Sequence, residues 1–256
     1  MADPGTSAHV ASLSFHQVPD NKGGFAQDTT ARQVSLNSHN KQAATIRQVE
    51  EHSRGKAGVI DTRFTLAGIA LSERSSIPTL LARYGYGAVT GSAHGVSHYD
   101  SAAKSIAFGP FVLVLDKIGA VTLQIGLDHL RPAPPGADGK QALAELAQAR
   151  LTELRVTYDD AGLTGHVIDT LAGRSGITPA QFRTNMTASL QARTEGEPAG
   201  PQRAFQQQTL RFLNDPRRFV ITLSPPSPMP LLVLALLRQM QPQDAARALG
   251  FGATAD

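Results

Sequence analysis

The alternation of hydrophobic and polar positions predicts a run of β-strands in the first half of the chain. Between residues 120 and 128, apolar side chains occupy every second position from Val121 to Leu127, with small or polar residues between them. Strict alternation is typical of a strand with one buried face. The two preceding segments, Tyr86–Tyr99 and Lys104–Leu115, are joined by short turns. We therefore predict an antiparallel meander over this region.

Four further strands are predicted upstream, at residues 9–18, 31–38, 43–50 and 59–71. The second and third contain few apolar residues, so we interpret them as edge or poorly buried strands. In the fourth, the apolar positions change parity after Gly68, which predicts a bulge or bend at that residue.

One segment of the meander is apolar at consecutive positions. The second strand has a predicted kink at Gly109-Pro110, and Phe111–Leu115 then carries apolar side chains on both of its faces. A strand of this kind has to be covered on both sides, by a helix or by a ligand.

The character of the sequence changes after a segment rich in Pro and Gly. We predict that residues 1–131 form an antiparallel β-sheet domain, residues 132–140 a linker, and residues 141–256 a helical unit. That unit contains two strands, and a strand–helix–helix pattern occurs twice within it. The predicted fold class is therefore α+β, with a twisted antiparallel sheet followed by a mostly helical unit.

Helix start signals support this interpretation of the second half. Asp159-Asp160 is predicted to cap the helix that follows, and Thr178 with Gln181 fits a capping box with Pro at the first helical position. The helix Leu231–Met240 is apolar on nearly all sides, which predicts that it is buried. A membrane-contacting or partner-binding helix is the alternative.

Composition narrows the function classes. Hydrophobic residues make up 41% of the 256 residues and charged residues 18%, which is sufficient to fill a core. The formal net charge is +3, with Arg217-Arg218 the only basic pair, and this scattered charge argues against nucleic-acid binding. The chain has no Cys, which excludes disulfides and thiolate metal sites.

Nothing in the sequence predicts a membrane span or a signal peptide. The longest apolar run, Leu231–Leu237, is much shorter than the roughly 20 residues that cross a bilayer. The start Met1–Gly5 has neither the basic nor the apolar region of a signal peptide.

Candidate catalytic groups are few. His94 and His98 lie four residues apart with Asp100 nearby, and a hydrolase using all three is one hypothesis. On a straight strand, however, residues four apart are separated by about 13 Å, which is too far for two ligands of one metal ion. Solvated histidines are therefore the preferred interpretation. We predict no catalytic residues, no metal site and no cofactor.

A resemblance to a known family adds to this picture. The order of Phe64–Leu71, Tyr84–Tyr86, Tyr99-Asp100 and Ile118–Leu123 resembles that of uncharacterised proteobacterial envelope proteins with repeated long strands. The resemblance is in the style of the AsmA-like and lipopolysaccharide-bridge proteins, whose curved sheets hold lipid chains. It implies a periplasmic, non-enzymatic protein.

The sequence thus predicts a protein that binds an apolar ligand or acts as a scaffold for lipid handling. The alternative is a protein–protein interaction module that docks through its C-terminal helices or an edge strand. The ligand-binding residues that we predict lie on the two consecutive strands of the meander: Phe111, Leu113, Val121, Leu123 and Ile125.

Overall fold

A single large antiparallel sheet dominates the structure. The computed structural model describes residues 6–19, 23–38, 41–72, 81–130, 147–237 and 239–256. Its strands are β1 (Thr6–Pro19), β2 (Phe25–Ser38), β3 (Lys41–Lys56), β4 (Val59–Leu71), β5 (Val89–Asp100), β6 (Ser105–Leu115), β7 (Gly119–Asp128), β8 (Arg150–Asp160), β9 (Arg218–Leu223), β10 (Met229–Pro230) and β11 (Phe251–Ala255).

The sheet is a meander in which neighbours in sequence are neighbours in space. From β1 to β9 each strand pairs antiparallel with the next, β11 follows β9 at the far end, and β10 pairs with β8. This confirms the predicted meander and an α+β fold, with the sheet as the larger part.

Five described helices accompany the C-terminal strands. They are α1 (Leu163–Arg174), α2 (Pro179–Gly196), α3 (Pro201–Asn214), α4 (Leu231–Leu237) and α5 (Pro242–Ala248). The predicted capping box at the start of α2 is confirmed, since Thr178 and Gln181 exchange both hydrogen bonds. In the part of the chain that the structure describes, none of the helices combines the length and hydrophobicity needed to cross a bilayer.

A row of backbone irregularities crosses the first four strands. Gly68 has a φ of 65°, and the register between β4 and β5 shifts beside it, which confirms the predicted bulge. In the second strand Gln33 also has a positive φ, of 51°. A residue with positive φ interrupts the regular alternation of side chains between the two faces of a strand. Apolar side chains three positions apart, such as Leu66 and Ile69, therefore lie on the same face.

The interpretation of β2 and β3 as edge or poorly buried strands is wrong. Both are internal strands, and Val34 and Ile46 are each only 8% exposed. The period-two pattern was obscured because the irregularity near Gln33 shifts the parity of the apolar positions. The strands at the two ends of the described sheet are β1 and β11.

The sheet continues through the region that was predicted to be mostly helical. The two predicted strands are present as β8 and β9, and they pair with each other. The sequence interpretation missed β10 and β11. Strands on both sides of the predicted boundary therefore belong to one sheet, and the division into domains stays a prediction. The linker predicted at 132–140 lies outside the described residues. The sequence also predicts short helices at 140–148 and from Ser75 to Gly85, of which residues 140–146 and 75–80 lie outside the described residues.

Candidate functional site

The sheet has an apolar face and a polar face. Directly paired residues on neighbouring strands share a face, so the register assigns every position. We call the face that carries Val34, Leu66 and Phe111 the apolar face. The polar face, on the opposite side, carries His52 and His98.

The five predicted ligand-binding residues lie together on the apolar face. Phe111 is paired with Leu123, and Leu113 is paired with Val121, which places four of them in two adjacent cross-strand pairs of β6 and β7. Ile125 follows on the same face. All five are partly accessible, with Val121 36% exposed.

An aromatic cluster that sequence reasoning missed borders these residues. Phe64 of β4 and Phe108 of β6 stack with Phe111, with ring centroids 5.8 to 6.0 Å apart. The ring of Phe64 lies over Gly95, where a Cβ atom would be 2.6 Å from it. Finding this cluster required the strand register, because the pairing of β6 shifts between Phe108 and Phe111.

The described helices pack on a different part of the apolar face. Phe205 and Phe212 of α3 contact Phe219 of β9, and Phe205 also contacts Phe251 of β11. Phe212 further contacts Tyr158 of β8. The cover by α3 thus begins beside β7 and extends towards the far end of the sheet, whereas Leu163 of α1 packs against the cluster of Leu81, Val89 and Ile118.

The opposite side of β6 is less covered than the sequence suggested. Val112 and Val114 alternate with Phe111 and Leu113 and therefore point to the polar face. Val114 is 37% exposed. The described residues therefore leave this side of β6 partly accessible at Val114, where the sequence predicts cover by a helix or by a ligand.

A network of hydrogen bonds at Asp160 links the end of β8 to the start of α1. The carboxylate accepts hydrogen bonds from the Tyr158 hydroxyl at 2.7 Å and from the backbone N–H groups of Gly162 and Thr164 at 2.9 and 3.0 Å. The Thr164 hydroxyl donates a further bond. Asp160 therefore accepts hydrogen bonds from the N-cap residue Gly162 and from Thr164 in the first turn of α1. The predicted capping role is confirmed for Asp160 but not for Asp159.

This network shifts the titration of both partners. Burial, reinforced by the hydrogen bond to Asp160 and by its negative charge, raises the pKa of Tyr158. Burial of the Asp160 carboxyl opposes its ionisation, but the hydrogen bonds from Tyr158, Thr164 and Gly162 bring its pKa below the ordinary value. The neighbouring Asp159 serves a different purpose and pairs with Arg218 at 2.6 Å.

On the polar face, two His–Asp pairs line a concavity of about 660 Å³. His52 contacts Asp28 at 2.6 Å, and His98 contacts Asp61 at 2.7 Å, each across neighbouring strands. A carboxylate beside Nδ1 favours the tautomer that leaves Nε2 as the free acceptor. The described residues contain no group of three or more His, Asp or Glu side chains arranged to hold a metal ion.

The structure does not assemble the hydrolase constellation considered from the sequence. The partner of His98 is Asp61, whereas the carboxylate of Asp100 accepts hydrogen bonds from the backbone of Ala102 and Ala103 in the following turn. Asp100 is therefore a turn residue.

The helix α4 is not the buried core helix that its sequence predicted. Leu237 is 8% exposed, but Leu232 and Leu236 are 64% and 54% exposed. These two leucines lie one helical turn apart and form an accessible apolar stripe. Hydrophobicity on all sides was compatible with burial, but tertiary contacts cover only one side.

Comparison with known proteins places the chain in a family. A profile of the family described as "Uncharacterized protein" matches residues 112–256. The chain belongs to that family. The family segment begins within β6 and includes Leu113, Val121, Leu123 and Ile125, together with all five described helices. A search of curated proteins finds no match to the chain.

Proposed function

We propose that the protein is a non-enzymatic, periplasmic envelope protein that binds the hydrocarbon part of a lipid on the apolar face of its sheet. The observation that carries the proposal is the contiguous group of half-buried side chains at Phe111, Leu113, Val121, Leu123 and Ile125. Accessible apolar surface in one contiguous group is typical of ligand and partner sites.

The chemistry of this surface favours a hydrocarbon chain over a polar ligand. Its side chains are aliphatic or aromatic, and the single proton of the nearby Tyr158 hydroxyl is already directed at Asp160 and the carbonyl of Ile118. Binding would therefore come from buried apolar area, at roughly 25 cal/mol per Å². The resemblance to the AsmA-like proteins supports both the envelope location and a lipid as the ligand.

A pair of substitutions on neighbouring residues tests the proposal. Val121→Asp places a charge on the apolar face, whereas Thr122→Asp places the same charge on the polar face of the same strand. With fluorescently labelled palmitate as the probe, we expect binding by the wild type and by Thr122→Asp, and loss of binding by Val121→Asp. Native mass spectrometry of protein purified from cells is expected to show bound lipid.

Two outcomes contradict the proposal. If the wild type neither binds the probe nor carries co-purified lipid, the protein is not a lipid-binding protein. Equal loss in the two variants, with equal thermal stability, shows that the apolar face is not where the probe binds.

A protein–protein interaction module is the second candidate, and the exposed stripe on α4 favours it. Leu232 and Leu236 form the kind of helical anchor pair that inserts into a partner's groove. Under this alternative, Leu232→Lys changes the size of the assembly observed by size-exclusion chromatography with light scattering. An unchanged elution position counts against it.

A further inference from the structure

The strand β1 is an open edge of the sheet. In the part of the chain that the structure describes, its 14 residues pair with β2 on one side alone. Every side chain from Ser7 to Pro19 is exposed, including Leu13 at 68% and Phe15 at 60%. Its outer backbone N–H and C=O groups therefore form a long template for another strand.

This edge lacks the features that usually prevent strand addition. Short length, charged side chains, internal Pro and bulges protect natural edges. The strand β1 contains no Lys, Arg, Asp or Glu, and its single Pro is the final residue. Its pairing with β2 is interrupted at Ala11, opposite Gln33, but keeps the same register on both sides of that position. The opposite end of the sheet, β11, has five residues.

The side chains of β1 are self-complementary under a two-fold rotation. Val10 and Leu13 are three residues apart but share the apolar face, because they pair with Val34 and Ala31 of one core cluster. The apolar positions 8, 10, 13 and 15 are therefore symmetric about the midpoint between residues 11 and 12.

We propose that β1 pairs antiparallel with β1 of a second copy of this chain, so that residue numbers of opposed residues add up to 23. Val10 is then opposite Leu13, and the small Ala8 is opposite the large Phe15. On the polar face the same register places His9 opposite Ser14. The two apolar faces become one continuous surface across the dimer. This inference does not depend on lipid binding.

The assembly test compares two exposed apolar residues on different strands. Leu13→Lys introduces a charge at the proposed interface, and Val114→Lys introduces the same charge on the polar face of β6, where Val114 is 37% exposed. By size-exclusion chromatography with light scattering, we expect a dimer for the wild type and for Val114→Lys, and a monomer for Leu13→Lys. A monomeric wild type, or a dimer that Leu13→Lys keeps, overturns the proposal. Open-ended oligomers also overturn it, since they indicate β1 pairing with β11 of the next copy.

Disulfide trapping tests the register, and because the chain has no native Cys, every disulfide that forms joins introduced cysteines. Opposed residues on paired strands are close enough for a disulfide, whereas residues displaced by two positions are generally not. We expect a mixture of His9→Cys and Ser14→Cys chains to form a covalent heterodimer on oxidation. A mixture of Ser7→Cys and Ser14→Cys chains is the matched control and is expected to cross-link far less. Equal yields from the two mixtures overturn the register.

Discussion

The carboxylate of Asp160 is expected to contribute far more to stability than that of the adjacent Asp159. Asp160→Ala removes four hydrogen bonds, two of them from the backbone N–H groups of the N-cap residue Gly162 and of Thr164 in the first turn of α1. Loss of a helix cap costs up to about 2 kcal/mol, and the added loss of the bond from Tyr158 is moderated because its hydroxyl still reaches the carbonyl of Ile118. We expect a decrease in the free energy of unfolding of about 2 kcal/mol.

Asp159→Ala is the matched control. It removes an ion pair with Arg218 whose side chains are 37% and 54% exposed, and ion pairs that water reaches in this way contribute little to stability. Urea denaturation followed by circular dichroism measures both variants, and hydrogen exchange at residues 162–166 locates the effect. Equal destabilisation by the two substitutions, or unchanged exchange at the start of α1 in Asp160→Ala, refutes the capping argument.

Two further predictions concern pH and packing. The pKa of Asp160 is lower in the folded protein than its ordinary value of 3.8, so its stabilising effect is present above that value and is lost as the pH falls through the folded pKa. In thermal melts at decreasing pH, we expect the melting temperature of Asp160→Ala to fall less than that of the wild type. Parallel plots of melting temperature against pH for the two proteins contradict this. Gly95→Ala is expected to displace the ring of Phe64 and to lower the free energy of unfolding by about 1 to 3 kcal/mol. Gly87→Ala, with no atom within 4 Å of the new Cβ, is expected to change the stability little. Equal denaturation midpoints for the two variants would show that the ring moves aside without loss of stability.

Local patterns were sufficient where a strand has a plain period of two. The segment 119–128 alternates without interruption, and its observed bounds differ from the prediction by one residue. The pattern failed at β2 because Gln33, which has a positive φ, shifts the parity of the apolar positions. It failed at β3 because Ile46 and Val49, three residues apart, lie on the same face. They also failed at β11, since Phe251–Ala255 gains its strand character from pairing with β9.

The candidate site was predictable as a set of residues but not as a surface. Alternation placed Val121, Leu123 and Ile125 on one face, and the register then brought Phe111 and Leu113 beside them. The stack with Phe64 and the contact of His98 with Asp61 join different strands, so they depend on a register that one sequence does not reveal. The exposure of α4 was equally hidden, because it depends on which side the rest of the chain covers.

The order of the sheet has a consequence for how such a chain can change. From β1 to β9 every strand lies beside its predecessor and runs in the opposite direction. Removing or inserting two consecutive strands therefore preserves the direction of all the others, and the ends that have to be rejoined lie on the same side. A protein built in this way can vary its width by whole hairpins, without rethreading the chain or relocating the helices at its C-terminal end.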